Sequence, residues 1–403
     1  MISSIIPRGH HRGLIHIRCC LETFRSQPYP LRGDRSSLRE GTHEVTTGAD
    51  RFERTGSPHP PEPKPKKPVN TLFSLARTLI DIPSITGNEG ALARYLHEEL
   101  TVRGFAVRLQ EVQADRFNLF ADQGEPVRVV LCTHLDTVAP FIPSSEDEEH
   151  IYGRGACDAK GIMAAMITTA ENLPPPDARR VGLLFVVGEE ADSIGARKAN
   201  ELAVGSDYII VGEPSQNRLV SGHKGALEFV IRAEGEAAHS AYPHRGDSAI
   251  DRLIHALHRI THADWGRDTP LGDATVNVGT IAGGLAGNVV PPSAEARVFV
   301  RLVSASSRAQ RTLDEIVGGD PKLSYEIGTR SEPVICGTLD GFEAEPVAFG
   351  SDIPALTAFG IPLMLGPGSI HDAHGAGEKI EKRQLSEGVR LYGKMVRKLL
   401  EAP

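Results

Sequence analysis

The stretch RRVGLLFVVGEE, residues 179–190, runs five consecutive apolar residues, Leu183 to Val187, into a glycine and two adjacent glutamates. A short apolar run of this kind reads as a buried strand. Neighbouring like charges at its end repel each other, so Glu189 and Glu190 raise a question. Taken alone, they suit a solvated turn. Taken with a cation nearby, one binds the ion and the other acts as a base.

Working outward, the same pattern recurs. NTLFSLARTLIDIPS and NEGALARYLHEELTVRG have helical apolar spacing, closed by Pro83 and Gly104. FAVRLQEV, RFNLFADQG and PVRVVLCTHLDTV read as strands, KGIMAAMITTAENL as a helix, IGARKANELAV as a helix and SDYIIVGEPS as a strand. Strands alternating with helices predict an α/β layer with a mostly parallel sheet. After Pro214 the rhythm changes: ALEFVIRAEGE, DSAIDRLIHALHRITH, TVNVGTIAGG, AEARVFVRLV, SSRAQRTLDEIVGG and KLSYEIG give strand–helix–strand–strand–helix–strand. That order predicts an inserted ferredoxin-like α+β domain. The α/β rhythm resumes in VAFGSDIPALTAFGIPLMLGPGS. The expected division is 70–216 and 332–403 for the α/β domain, and 217–331 for the insert.

Composition narrows the function. The 403-residue chain is 40% hydrophobic and 24% charged, as in ordinary globular proteins. No apolar run approaches the length of a spanning helix, so no membrane role is expected. Residues 1–70 hold 12 Lys+Arg and 7 Asp+Glu, while the remainder holds 32 basic and 45 acidic residues, a net −13. An acidic body argues against nucleic acid, and acids gathered in a cleft suit metal cations. Residues 1–69, ending in PHPPEPKPKKPV, read as a disordered or added extension. Five cysteines without a framework spacing point to a reducing cytoplasm.

Ligand-type side chains appear where the α/β strands end. His134 and Asp136 follow one strand, Asp158 lies in a Gly-rich loop before a helix, and Glu189 and Glu190 close another strand. Glu213 follows a third, and His371 and His374 come late in GPGSIHDAHGAGE. In open α/β sheets the site lies outside the carboxyl ends of the strands, so these groups are placed to converge. Histidines with carboxylates and no cysteine suit catalytic Zn²⁺, with Mn²⁺ or Co²⁺ as substitutes. No G-x-S-x-G elbow is present to support a serine hydrolase.

HLDTV, YGRGACDAKG, GEEADS, GEP, HKG, AAHSAYPHRGDSAI and GPGSIHDAHGAGE, in this order over residues 70–400, resemble the M20 family of dinuclear zinc metallopeptidases and amidohydrolases. The resemblance implies a zinc-peptidase catalytic domain with an inserted dimerisation (lid) domain, and two Zn²⁺ ions. It implies that His134, Glu190, Glu213 and His374 (or, less well matched, His371) ligate the ions and that Asp158 bridges them. Asp136 would hold the His134 ring, as residues two apart on an extended segment point the same way. Glu189 would be the general base, with consecutive strand-end side chains pointing to opposite sides. His239 would assist at the oxyanion, usually across a homodimer interface. Asn288, the amides of Gly366 and Gly368, Lys224 and Arg245 are candidates for binding substrate, Lys224 also suiting a hinge. The resemblance further implies a cis Asp158–Ala159 peptide. Phe299, two before Arg301, and Ala159 depart from the acidic residues common in relatives at those places. The junctions sit nearest the acetylornithine deacetylase branch. The expected reaction is therefore hydrolysis of an N-acyl amino acid in amino-acid biosynthesis, with succinyl-diaminopimelate desuccinylation or dipeptidase/carboxypeptidase action as alternatives. A non-catalytic paralogue would have lost a ligand or the base, and none is missing.

Overall fold

The computed structural model describes residues 71–402; the expectation for residues 1–69 lies outside the described residues. Two amphipathic helices come first, α1 (Leu72–Ile80) and α2 (Gly90–Val102). Leu75, Ala76, Leu79 and Ile80 of α1, and Leu92, Ala93, Leu96 and Leu100 of α2, face inward at the three-to-four spacing of a helix stripe. Strands β1 (Ala106–Gln113), β2 (Arg116–Asp122) and β3 (Val129–His134) follow. Helix α3 (Lys160–Asn172), β4 (Val181–Val186) and β5 (Tyr208–Val211) complete the first α/β segment.

The insert comprises β6 (Gly225–Glu234), α4 (Ala249–His262), β7 (Thr275–Gly283), β8 (Ser293–Leu302), α5 (Ser306–Val317) and β9 (Leu323–Ser331). Its sheet runs β7–β8–β6–β9 with every pairing antiparallel, the ferredoxin-like arrangement. Leu227, Phe229 and Ile231 of β6 and Val298, Val300 and Leu302 of β8 pack with Leu253, Leu257 and Ile260 of α4 and Leu313 of α5 in a core of their own. The chain enters the insert through Leu219–His223. This segment pairs with Val334–Ile335 and with Ala344–Val347, so entry and exit are stitched into one small hinge sheet. Strand β10 (Ile361–Met364) and helix α6 (Lys382–Glu401) then close the fold.

In the central sheet the order is β1–β2–β4–β3–β5–β10. β1 and β2 are antiparallel at one edge, and the other four strands are mutually parallel. The expected α/β fold with a mostly parallel sheet and an α+β insert is the one observed. Register aligns the strand ends: His134 pairs with Val186, and Cys132 with Val211. Asp136, Glu189 and Glu213 therefore leave the sheet along the same edge. Gly212 allows that edge to be crowded, since a Cβ there would lie 2.4 Å from Ile162 and 2.5 Å from Met166 of α3.

One expected element is shorter than its pattern. The helix at IGARKANELAV stops at Ala199, followed by a single 3₁₀ turn, Asn200–Leu202. Asn200 donates its side-chain amide to the Arg197 and Ala355 carbonyls, and Ala203 adopts a left-handed φ of 49°. A side chain that bonds local backbone carbonyls competes with helix propagation.

Candidate metal centre

His134, the last residue of β3, is buried, and its Nε2 lies 3.0 Å from Asp158 Oδ1. Asp158 precedes α3 and is joined to Ala159 by a cis peptide. His374, in a loop between β10 and α6 with a left-handed φ of 62°, places Nε2 3.4 Å from Asp158 Oδ2 and 3.0 Å from Glu190 Oε1. Asp158 thus lies between two imidazoles, one on each carboxylate oxygen. The ligand atoms of His134, Asp158 and Glu190 all fall within 4.8 Å of one another. Glu213, 4% exposed, lies just past β5. Its carboxyl is pushed well above the usual range by burial and by the charges of Glu189 and Asp158. His371 is exposed and makes its hydrogen bond within its own turn, outside this cluster.

The glutamate pair rides on a turn. β4 ends at Val186, and Gly188, with φ of 79°, reverses the chain before Glu189. The expected alternation along a strand end therefore does not orient the two carboxylates; turn backbone does. That turn is gripped by Asp136. Its Oδ1 accepts the N–H groups of Gly188 at 2.9 Å and Glu189 at 3.1 Å. Its Oδ2 accepts from Glu190 N–H at 3.1 Å and from the Thr86 hydroxyl at 2.9 Å. The expectation that the Asp136 carboxylate holds the His134 ring is corrected accordingly. His134 Nδ1 sits 2.9 Å from the Asp136 backbone carbonyl and 3.7 Å from its carboxylate. The chain bends after β3, so the extended-segment geometry behind that expectation does not apply.

The electrostatics describe a site short of positive charge. Burial, followed by the charges of Asp352, Glu190 and Asp158, holds the Glu189 carboxyl well above its ordinary range. Burial pushes Asp352, which sequence reasoning overlooked, up to about 7. Hydrogen bonds donated to Asp158 and Glu190 raise His374 to about 10. Hard carboxylate oxygens with imidazole nitrogens, in net acidic surroundings, are a donor set that fits divalent cations. Without a metal, protons take the cation's role. A histidine whose folded pKa is raised contributes stability fully present below about 6.5 and lost as pH climbs through about 10. The Tm of chelator-stripped protein is therefore expected to fall between these limits, and to fall less in His374→Gln; thermal melts across that range check it.

His239, Asn288, Lys224 and Arg245 lie in the insert or on its borders. His239 and Asn288 are exposed and brought together: His239 bridges to Val289, and Ser240 N–H donates to the Asn288 carbonyl at 3.0 Å. Lys224 Nζ is engaged on the Asp273 carbonyl at 2.5 Å, and Arg245 is exposed in the short turn Pro243–Arg245. The expectation of free glycine amides is corrected. Gly368 N–H donates to Gln384 Oε1 at 2.8 Å and Gly366 N–H to Ser215 Oγ at 3.0 Å, so neither is left for a substrate. Arg301 carries a different signal. It is half-buried and stacks on Phe299 at 4.8 Å, and burial lowers its pKa. Among the described residues, it has no carboxylate partner in ion-pair range. Arg154 and Glu378 were visible in the GRG and GAGE motifs but carried no assigned role.

Residues 221–317 match the peptidase dimerisation domain of the M20 family. The chain is 36% identical to a peptidase M20 domain-containing protein of Schizosaccharomyces pombe over 337 residues, 81% of this chain and 84% of that one. It is 37% identical to a probable carboxypeptidase of Aspergillus flavus, covering 83% of this chain and 88% of the relative. A tripeptidase from Staphylococcus aureus superposes with a TM-score of 0.69 at 21% identity, covering 82% of this chain and 98% of that one. A dinuclear metal-binding peptidase of the M20 family from Bacillus subtilis gives 0.62 at 17%, with the same coverage. At these identities the two structures speak for the fold alone. No helix among the described residues is long and apolar enough to cross a membrane.

Proposed function

Because the chain belongs to the M20 peptidase family, whose members are hydrolases of amide bonds, we propose that it is a two-metal hydrolase that cleaves the amide preceding a free carboxylate, as a carboxypeptidase does. The observation that carries this is the convergence of His134, Asp158, Glu190 and His374, with Glu189 and Glu213 beside them. His134, Asp158, Glu190, Glu213 and His374 would hold two Zn²⁺ ions, or Co²⁺ or Mn²⁺, with Asp158 shared. Such ions supply Lewis acidity and a water that ionises near neutral pH.

The chain's own residues supply the rest. Glu189, held by the Asp136-bound turn, takes a proton from the attacking water and hands it to the departing amine. Burial, with the neighbouring carboxylates, raises its pKa well above the ordinary carboxylate range, which favours proton uptake by Glu189. His239, with Asn288 next to it, donates to the oxyanion, from a partner subunit if the insert forms a homodimer. Arg301, a guanidinium without a carboxylate in ion-pair range among the described residues, receives the free carboxylate of the leaving residue. Division at 70–216, 217–331 and 332–403 and a cytoplasmic setting belong to the same proposal; Cys132, Cys157 and Cys336 are free, buried thiols.

N-acetyl amino acids, such as N-acetylornithine and N-acetyllysine, and N-succinyl-diaminopimelate share the essential feature, an amide next to a carboxylate-bearing carbon. The relatives named as carboxypeptidases favour a peptide on the acyl side. The test is amine release by the metal-loaded protein from short peptides, their C-terminally amidated forms and these N-acyl amino acids. Turnover of free-carboxylate substrates is expected, with the amidated forms inert; equal rates on both would sink the proposal. Arg301→Gln is expected to raise KM about 10–100-fold with kcat little changed, the loss of one charge-assisted contact.

A further inference from the structure

The loop carrying Asp158 and the loop carrying His374 meet on one buried ion pair. Arg154 and Glu378 are 224 residues apart in sequence, with side chains 2% and 0% exposed, and Arg154 Nη1 lies 2.6 Å from Glu378 Oε2. The second oxygen of Glu378, Oε1, accepts three backbone N–H groups: Gly155 at 2.9 Å, Cys157 at 3.1 Å and Asp158 at 3.1 Å. The Glu378 carbonyl also accepts from Gly153 N–H at 3.0 Å. From the opposite side, Arg154 Nη2 donates to the His374 carbonyl at 3.3 Å, and Nε donates to the Pro140 carbonyl at 3.2 Å.

We propose that Arg154 and Glu378 are a positioning pair that holds Asp158 and His374 in one frame, so that the ion shared by these two residues is bound at full affinity only while the pair is intact. This inference rests on the metal reading above. The carboxylate fixes the backbone at Asp158 itself, which leaves the Asp158 side chain little freedom. The guanidinium fork bonds the backbone carbonyl of His374, a residue in the left-handed conformation within a turn. A planar fork is needed, because one group must bond a carboxylate and two carbonyls in different directions. Neither residue touches the reacting atoms; both act through the ligands they place.

The test is metal binding rather than turnover. Wild type, Glu378→Gln and Arg154→Lys, each alone and combined with His374→Ala, are stripped with a chelator. They are then titrated with Zn²⁺ against a competing chelator, and with Co²⁺ while the ligand-field absorption is recorded; circular dichroism follows the fold of the stripped proteins. Wild type is expected to take up two ions. Glu378→Gln and Arg154→Lys are each expected to weaken uptake about 10–100-fold, as loss of an outer-sphere partner does. Arg154→Lys keeps the charge pair and loses the fork, so it carries the test if Glu378→Gln fails to fold. Adding either change to His374→Ala is expected to cost less than it does in wild type, because part of its effect passes through His374. Unchanged uptake in the single variants, or an equal fold-change in both backgrounds, would overturn the pair's role while leaving the metal reading in place. A wild type that takes up no ion would overturn the metal reading, and this inference with it.

Discussion

Glu189→Gln is expected to lower kcat about 10³- to 10⁴-fold while the protein keeps its full metal complement, the upper range of what a positioned acid–base group contributes. Glutamine has the size and shape of glutamate and accepts hydrogen bonds, but it cannot carry the proton between water and leaving amine. Glu189 makes no hydrogen bond to His134 or His374, whereas Glu190 is 3.0 Å from His374. The two neighbours should therefore fail differently. Glu190→Gln is expected to lose metal first and activity as a result. Metal analysis with kcat and KM on the same samples separates them. A Glu189→Gln enzyme within tenfold of wild-type kcat would remove Glu189 from the mechanism.

Asp136→Ala is expected to lower both stability and turnover. The carboxylate is fully buried and serves four donors, three of them consecutive amides of the turn that carries Glu189 and Glu190. Leaving buried donors without an acceptor costs about 1–3 kcal/mol each, so a loss of roughly 3 kcal/mol or more is expected even if water replaces part of the contact. Release of the turn also misplaces the base, and an ångström of displacement is enough for about 10²-fold in kcat. Asp136→Asn is a finer probe. Its oxygen can keep Gly188 and Glu189, but its NH₂ then faces the Glu190 N–H. Asn is accordingly expected to weaken metal binding more than it slows turnover at saturating metal. Denaturant melts, metal competition and kinetics on the two variants check both statements. An Asn variant with metal binding and turnover both near wild type would remove Asp136 from the positioning of this turn.

The positions of Asp136 and Glu189 show how far the sequence could be read. Strands such as LLFVV announce themselves by unbroken apolar character, and in a parallel sheet their ends must lie along one edge, so the gathering of His134, Glu190 and Glu213 followed from pattern alone. What each carboxylate touches did not follow. Two residues after a strand, the backbone has already turned, and periodicity has no further hold on direction. Gly188 was legible as a glycine, but not as the left-handed residue that turns the glutamate pair away from the strand. Gly368 looked like an anion-binding amide until Gln384, sixteen residues on, proved to occupy it. Arg154 and Glu378 are beyond local reading, since nothing nearby in sequence marks two charges so distant as partners. Arg301 could have been found from one signal, a cation alternating with the core positions of β8 with no acid placed opposite.

The order in which this sheet is completed has a consequence for the chain as it is made. β5, a parallel strand of the central sheet, waits for its outer neighbour β10 until the whole insert has been synthesised. The insert has a core of its own and can fold early, while β5 presents an open, apolar edge of Tyr208–Val211. Unpaired edges of this kind invite wrong partners during synthesis. His374 emerges later still, so a chain cut short before residue 374 would hold the complete insert and lack one of the proposed metal ligands.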